Sequence, residues 1–301
     1  MSQIEAAPQG QAAQDPLRAA LWMIGAILCF SALAVAGRAA ALELDTFEMI
    51  TYRSVIGLVI VLAVGAFAGT LGQITRRHMG VHVVRNIVHF GGQNLWFYAI
   101  TVAPLTLVFA LEFTAPLWAM LLAAVFLGEK LTAWKLGAGL LGFVGVLIVV
   151  QPGAQPLSIG MVTAALAAVF FAVNVILTKR LTRTESITCI LFWLSVIQLV
   201  IGLIICLRDG HMAVPSAAML PWLAVIGIGG MAAHFCLTAA LSLAPASVVM
   251  PMDFARLPTI AVVGVVVYAE PLEWSVLLGA VLIFGANYLN IWASQRRPGR
   301  T

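Results

Sequence analysis

The sequence predicts an all-α integral membrane protein with ten transmembrane helices, arranged as two inverted five-helix repeats. Three observations lead to this prediction: an apolar composition, a succession of ten apolar segments, and a match of the chain to itself at one fixed offset. Hydrophobic residues make up 62% of the 301 residues and charged residues only 9%, whereas soluble domains are about half apolar and about a quarter charged. A surface this apolar requires lipid around it.

Ten segments have the length and apolar character needed to cross a bilayer, which takes about 20 residues. Some of the loops are very short, and two of them contain little more than Ala103-Pro104 and Ala244-Pro245. Proline suits these places because its missing N–H would be unpaired at a helix start. We expect spans at 19–38, 46–70, 82–102, 105–127, 134–151, 158–179, 187–207, 219–243, 246–269 and 274–293.

The placement of Lys and Arg predicts that both termini lie in the cytoplasm. With the N-terminus inside, only Arg38 and Arg208 fall on the outside. Residues 1–18 and 294–301 are then cytoplasmic tails, and the first is expected to be disordered because it is polar and rich in Ala, Gln and Pro. The inner ends and loops hold Arg18, Arg76, Arg77, Arg85, Lys130, Lys135, Lys179, Arg180, Arg183, Arg296, Arg297 and Arg300.

A shift of 141 residues aligns the chain with itself without a gap. Residues 54–62 read SVIGLVIVL and residues 195–203 read SVIQLVIGL; residues 102–113 read VAPLTLVFALEF and residues 243–254 read LAPASVVMPMDF. The same offset pairs Phe30 with Phe171, Arg38 with Lys179, Glu112 with Asp253, Gln93 with His234, and Glu129 with Glu270.

Each repeat unit has five expected spans, an odd number, so the second unit enters the membrane in the opposite direction from the first. Inverted repeats place a pseudo-two-fold axis in the membrane plane. By exchanging the conformations of its halves, such a molecule opens first to one side and then to the other, around a site near the midplane. This favours an alternating-access carrier over a static membrane scaffold.

Four charged residues lie within the expected spans, where a charge costs about 2.5–3.5 kcal/mol on insertion scales. Arg53 and Glu112 are each about seven residues from an outer span end, so they are at similar depth and can pair. Asp253 is about seven residues from an inner end, and Arg256 follows on the same helix face. They form either structural ion pairs or a site for a zwitterionic or anionic solute, with Glu112 or Asp253 taking up protons.

Polar and aromatic residues near the middle of other spans can complete such a site. His89, Gln93 and Trp96 share one face of the third span. Asn174 and His234 lie in the sixth and eighth spans; for each of these residues the alternative is helix packing. Pro116, Pro251 and Pro258 interrupt the fourth and ninth spans near the acids, where we expect hinges or kinks.

Other classes of function leave no signature in the chain. The basic residues form no cluster with aromatic residues, so nucleic acid is not an expected partner. No two of the four cysteines form a C-x-x-C pair, so we expect neither a metal site nor a cofactor. An HExxH motif and a nucleophile elbow are both missing, which argues against a catalytic site and an enzyme.

The stretch from Leu111 to Pro152 resembles the EamA family of the drug/metabolite transporter superfamily. The Glu-Phe-Thr-x-Pro segment at 112–116, the Gly-Glu-Lys at 128–130 and the glycine-rich helix after it carry the resemblance. A degraded second version contains Asp253-Phe254, Pro258 and Ala-Glu-Pro at 269–271. The two units correspond to residues 19–151 and 158–293.

The resemblance implies a ten-helix fold with a central cavity, transport of small metabolites and a location in the bacterial inner membrane. It does not identify the substrate. We favour export of amino acids or related compounds, coupled to protons, because groups of both signs suit a zwitterion. Uptake of a vitamin, nucleoside-like or organic-cation metabolite is the alternative, as is flipping of a lipid-linked substrate. The expected partners are a small solute, membrane lipid and protons, and the protein is a monomer or a homodimer.

Overall fold

The structure is a computed structural model, and it describes residues 15–128, 132–151, 158–208, 212–269 and 274–295. Every regular element in these ranges is helical. The first half contains α1 (Pro16–Ala40), α2 (Thr46–Phe67), a 3-10 turn (Leu71–Gln73), α3 (Met79–Val102), α4 (Leu105–Glu112), α5 (Ala115–Leu127) and α6 (Ala133–Val150). The second half contains α7 (Ile159–Leu181), α8 (Ile187–Cys206), α9 (Leu220–Ala224), a π-helical turn (Val225–Gly229), α10 (Gly230–Leu243), α11 (Ala246–Met252), a 3-10 turn (Asp253–Ala255), α12 (Arg256–Tyr268) and α13 (Trp274–Gln295).

Five of the described helical stretches are long and apolar enough to span a bilayer: Pro16–Ala40, Thr46–Phe67, Ile159–Leu181, Ile187–Cys206 and Leu220–Leu243. The expected spans 105–127 and 246–269 are each broken into two shorter helices next to the acid they contain. The chain is therefore a multi-pass, all-α membrane protein, and the total of ten spans stays a prediction.

The boundaries between the predicted tails and the terminal helices shift by a few residues in the structure. Asp15 caps α1 by accepting a hydrogen bond from the backbone N–H of Arg18, so residues 16–18 are helical rather than part of a tail. At the other end, α13 continues to Gln295. The rest of both tails, together with Glu129, Lys130 and Glu270, lies outside the described residues.

The internal repeat is visible in the helix boundaries. α2 starts at Thr46 and α8 starts 141 residues later at Ile187. Their N-caps match as well, because Asp45 accepts from the backbone N–H of Glu48 at 2.8 Å, and Ser186 accepts from that of Cys189 at 3.2 Å. The starts of α3 and α9, α4 and α11, α5 and α12, and α6 and α13 are also 141 residues apart.

Helix packing follows the same symmetry. α1 packs against α10 and α3 packs against α7, and these two pairs are equivalent when the repeats are exchanged. α2 packs against its own counterpart α8, and α6 packs against α13. The halves are therefore interleaved, so a residue from either half can reach the centre.

A pair of basic residues caps equivalent helix ends. The guanidinium of Arg38 donates to the carbonyl oxygens of Ile100, at 2.9 Å, and Ala103, at 2.7 Å, at the end of α3. Lys179 donates to the corresponding carbonyl oxygens at the end of α10, those of Leu241 and Ala244. A cation suits a helix C-terminus because it satisfies the last carbonyls and opposes the helix dipole.

Candidate functional site

A central cavity of about 80 Å³ lies between the two halves of the chain. Its wall combines charged, amide, imidazole and aromatic side chains, most of them almost fully buried. The structure brings together all nine residues that the sequence nominates for substrate binding or coupling: Arg53, His89, Gln93, Trp96, Glu112, Asn174, His234, Asp253 and Arg256.

One wall of the cavity holds two carboxylates that share a single guanidinium. Nη2 of Arg256 lies 2.5 Å from Oε1 of Glu112 and 2.6 Å from Oδ2 of Asp253. The second carboxylate oxygen of Glu112 accepts a hydrogen bond from Nε1 of Trp96 at 2.6 Å. With both acids ionised, these three charges leave one excess negative charge in a buried place.

The predicted pairing of Arg53 with Glu112 is wrong, and so is the separation of the charges into an outer and an inner group. Glu112 pairs with Arg256 of the other repeat instead. Counting residues from the ends of straight helices misplaces these groups, because both helices break next to the acid. Asp253 begins the 3-10 turn between α11 and α12, and Arg256 then opens α12 close to the end of α4.

Arg53 belongs to a second polar network, which also contains Gln93, Gln198 and His89. Its Nη1 donates to Oε1 of Gln93 at 2.7 Å and to Oε1 of Gln198 at 3.4 Å. The amide nitrogens of Gln93 and Gln198 each approach a ring nitrogen of His89 at 2.9 Å. The His89 ring lies edge-on to His234, with ring centroids 4.7 Å apart.

Aromatic rings line the space between these networks. Phe30, Phe109 and Phe113 surround the guanidinium of Arg256, with ring centroids 5.1–5.4 Å from its central carbon. Cation–π contacts of this kind stabilise a buried arginine. Phe171 lies edge-on to His89 at 6.1 Å between centroids.

Several polar atoms on the wall have no hydrogen-bond partner in the described part of the protein. They are Nε of Arg53, Oδ1 of Asn174, Oδ1 of Asp253 and Nε of Arg256. A buried polar group left unpaired costs about 1–3 kcal/mol, so a bound polar solute that reaches these atoms gains from them. The set offers both donors and acceptors.

The predicted hinge prolines lie beside the two helix breaks. Pro116 is in the first turn of α5, directly after the break at Phe113–Thr114. Pro251 lies near the end of α11, and Pro258 is the third residue of α12. Proline is tolerated in a first helical turn, so Pro116 and Pro258 follow a break rather than kink a continuous helix. Their role as hinges stays a prediction.

Phe30, Phe171 and Gln198 are among the lining or networked residues that were not nominated from the sequence. Phe30 and Phe171 are repeat counterparts at the offset of 141, and that match was the available signal. Gln198 stands in the aliphatic match SVIQLVIGL, as its one polar residue apart from serine. A buried amide at 1% exposure is well placed for a binding network.

A larger cleft of about 670 Å³ lies between α4, α5, α6 and α7. Its lining is apolar apart from Thr114, whose hydroxyl donates to the carbonyl of Leu111. None of the charged residues described above contributes to it. A polar solute finds no partner there, so we place the candidate site in the smaller cavity.

Comparison with known proteins assigns the family. The model of the EamA-like transporter family matches this chain twice, over residues 17–151 and 158–292. The chain belongs to the EamA-like transporter family. The two matches cover nearly all of the described structure, so both halves of this EamA-like transporter carry the family pattern.

Curated relatives of this EamA-like transporter are named for uptake or transport of small metabolites. A riboflavin transporter of Brucella anthropi is 32% identical over 88% of this chain and 95% of its own length. An S-adenosylmethionine uptake transporter of Rickettsia felis is 26% identical over 93% and 94%, respectively. A riboflavin transporter of Vibrio cholerae is 27% identical over 93% and 95%.

The fold is also that of a protein of known crystal structure. That structure superposes with a TM-score of 0.75 over 92% of this chain and 98% of its own, at 19% sequence identity. At this identity the likeness establishes the fold alone. The EamA-like transporter is therefore a metabolite transporter by family, with an all-helical, two-repeat fold.

Proposed function

We propose that this EamA-like transporter takes up a ring-containing polar metabolite of the riboflavin class by alternating access. The observation that carries the proposal is a buried cavity between the two repeats that combines aromatic walls with unpartnered donors and acceptors. Rings of Trp96, Phe30 and Phe171 can stack on a planar heterocycle. The free polar atoms of Arg53, Asn174 and Asp253 can bind hydroxyl groups.

The volume of the cavity supports a cycle with large conformational changes. Small-molecule sites usually measure about 300–1,000 Å³, whereas this cavity measures about 80 Å³, room for two or three water molecules at about 30 Å³ each. A vitamin-sized solute requires the walls to move apart. The breaks after Glu112 and at Asp253 are the places where α5 and α12 can tilt away from α4 and α11.

A metabolite that carries a positive charge is the second candidate. The group of Glu112, Arg256 and Asp253 has one excess negative charge, which a cation of the solute can neutralise. Relatives named for S-adenosylmethionine uptake support this candidate. The sequence alone favours export of amino acids, but none of the relatives named above is named for it. A zwitterion would nevertheless fit the same charged groups.

Uptake and counterflow in proteoliposomes test the proposal. We expect labelled riboflavin to enter vesicles saturably and to exchange with unlabelled riboflavin inside. A matched pair of variants shows whether the cavity is responsible: Trp96→Ala should lower uptake at least 10-fold, and Trp118→Ala, at an exposed position on α5, should leave it unchanged. Competition by S-adenosylmethionine but not riboflavin would favour the second candidate. Exchange of amino acids alone would overturn the proposed substrate class.

We also propose that Glu112 or Asp253 takes up the proton that drives transport. A proton neutralises the excess charge as a cation does, so proton and solute binding are linked through Arg256. In Glu112→Gln and Asp253→Asn, accumulation driven by a proton gradient should fall, whereas counterflow should persist in at least one of them. The control is Glu43→Gln in the α1–α2 link. Gradient-driven accumulation that is unchanged in both variants would refute the coupling role.

We place the protein in the cell membrane with both termini in the cytoplasm, supported by the Lys and Arg distribution. Exposed apolar side chains such as Phe67, Val125 and Phe126 suit contact with lipid. A monomer or a homodimer stays the expected oligomeric state.

A further inference from the structure

Away from the central cavity, three side chains of metal-binding type meet where α3 begins beside the start of α8. His82 lies on α3, Glu185 lies just before α8, and Cys189 lies in the first turn of α8. One ligand atom from each lies within 4.8 Å of the other two. His82 and Cys189 are fully buried and Glu185 is 8% exposed. An imidazole, a carboxylate and a thiol therefore converge in a protected place.

Three polar atoms of this cluster are unpaired in the described part of the protein. Neither ring nitrogen of His82 has a hydrogen-bond partner, and neither does Oε1 of Glu185. Because buried polar groups normally find a partner, these atoms point to a ligand that supplies one. The ring of Trp193 lies 6.3 Å from the imidazole between centroids and offers it no hydrogen bond, since Nε1 of Trp193 donates to the carbonyl of Thr75.

Thr75, in the link before α3, holds two of the three side chains in place. Its hydroxyl donates to Oε2 of Glu185 at 2.8 Å, and its backbone N–H donates to Sγ of Cys189 at 3.4 Å. Its carbonyl oxygen accepts the hydrogen bond from Nε1 of Trp193 at 2.7 Å. Metal ligands are commonly oriented by such hydrogen bonds, and here Oε1 of Glu185 is left free.

We propose that His82, Glu185 and Cys189 bind a zinc ion. Nitrogen, oxygen and thiolate sulfur are the ligands that Zn²⁺ accepts in tetrahedral sites. Its bond lengths of about 2.0–2.3 Å put neighbouring ligand atoms about 3.3–3.8 Å apart, so the side chains must close by about 1 Å on binding. A water molecule or His78, one helical turn before His82 with an unpaired Nε2, completes the coordination.

The charges of the site balance on binding. Cys189 releases its thiol proton to solvent when it becomes a ligand, and the thiolate and the Glu185 carboxylate then supply two negative charges for the two positive charges of the ion. A neutral buried group is far less costly than an isolated charge. Arg85, which faces this region, directs its guanidinium to Thr178 at 2.7 Å and to Asn86 at 3.3 Å.

The site joins the two repeats at one end of the molecule. His82 belongs to the first repeat, whereas Glu185 and Cys189 belong to the second. Their counterparts at the offset of 141 are Leu223, Leu44 and Glu48, so the opposite end has no equivalent ligand set. By the Lys and Arg distribution this end faces the cytoplasm, where thiols stay reduced and available to metal.

Metal binding by the full chain tests the proposal. Protein purified in detergent with a reductant and without a polyhistidine tag is titrated with Co²⁺, a spectroscopic substitute for Zn²⁺. We expect one ion per chain, a thiolate-to-metal charge-transfer band in the near ultraviolet, and displacement of Co²⁺ by Zn²⁺. Cys189→Ser should abolish the band, whereas Cys206→Ser, on the same helix but outside the cluster, should retain it.

Two further variants separate loss of ligands from loss of folding. His82→Gln should weaken Zn²⁺ binding at least 100-fold. Thr75→Val keeps all three ligands and should weaken it about 10- to 100-fold, the usual effect of losing a supporting hydrogen bond. Thermal unfolding without metal confirms that each variant folds. Absence of the charge-transfer band in the unmodified protein, or a band that survives in Cys189→Ser, would overturn the proposal.

Discussion

Arg256 connects the two repeats chemically, because one of its nitrogens contacts an acid from each. It is 4% exposed and lies among three phenylalanine rings. Its counterpart at the offset of 141 is Ala115, so the ion group is an asymmetric feature within a symmetric frame. This asymmetry explains why the repeat alone could not indicate the partner of Glu112.

Replacing Arg256 tests whether the ion group is structural, functional or both. Arg256→Gln leaves two carboxylates buried without a cation, which should destabilise the folded protein by about 3–5 kcal/mol and abolish uptake. The triple variant Arg256→Gln/Glu112→Gln/Asp253→Asn should recover thermal stability, because no charge remains. The measurement is thermal unfolding in detergent alongside uptake in vesicles.

The outcomes of that comparison discriminate between the two roles. Recovered stability with lost uptake assigns the group to transport. Recovered uptake in the triple variant would show that the charges serve packing only. A stable and active Arg256→Gln protein would contradict the pairing of Arg256 with Glu112 and Asp253.

At the level of single residues, the sequence predicts which residues line the cavity better than it predicts their contacts. All nine nominated residues line the cavity, whereas the predicted partner of Glu112 is wrong. The partner of Glu112 was not predictable, because it depends on the break before α12 and on the reach of an arginine. The His-Glu-Cys cluster was missed because each cysteine was compared only with other cysteines, although Glu185 and Cys189 are four residues apart.

Among the helices, α5 and α12 end in the same way, each followed by a residue with a positive φ. Gly128 follows α5 with a φ of 67°, and Ala269 follows α12 with a φ of 53°. Only glycine adopts this left-handed conformation without a penalty, which is about 1–2 kcal/mol for other residues. The equivalent positions therefore differ in strain but not in geometry.

Exchanging these two residue types should move stability in opposite directions. Ala269→Gly should stabilise the protein by up to about 1 kcal/mol, and Gly128→Ala should destabilise it by about as much. An added Cβ at Gly128 meets no atom of the described residues within 4 Å, and the φ of 67° makes the backbone the expected source of the effect. Thermal unfolding temperatures that shift in the same direction in both variants would contradict this explanation.

Close packing between α3 and α7 depends on Gly92. A Cβ at this position would lie 2.9 Å from Cβ of Phe170 and 3.2 Å from the ring of Phe171, which lines the cavity. Gly80 lies in the same helix with open space around it. Substitutions at these two glycines therefore distinguish an effect of helix propensity from an effect of helix packing.

Alanine at each position gives a direct comparison. Gly80→Ala should be neutral or stabilise the protein by about 0.5–1 kcal/mol through helix propensity. Gly92→Ala should destabilise it by about 1–3 kcal/mol, because the helices are forced apart, and should also lower uptake. Equal thermal stability of the two variants would show that α3 and α7 are not held in close contact at this point.

For the whole molecule, the offset of 141 was the most informative feature of the sequence. It relates the starts of five helix pairs and the N-caps Asp45 and Ser186, which depend on local sequence. It also pairs Arg38 with Lys179, whose hydrogen bonds to the ends of α3 and α10 are long-range contacts. The offset alone does not place the helix breaks. The prolines near Glu112 and Asp253 are the sequence signal for them, and the structure has a break beside each acid.

Alternating access requires the cavity around Arg256 to open in turn to the two sides of the membrane. Asn174→Cys places a thiol on its wall, where Asn174 is 3% exposed and its Oδ1 is free. The direct measurement is labelling of this thiol by a membrane-impermeant reagent, in whole cells and in inverted vesicles, above the level of the parent chain. We expect labelling from both sides and protection by substrate on both. Labelling from one side only, unchanged by substrate, would contradict alternating access at this cavity.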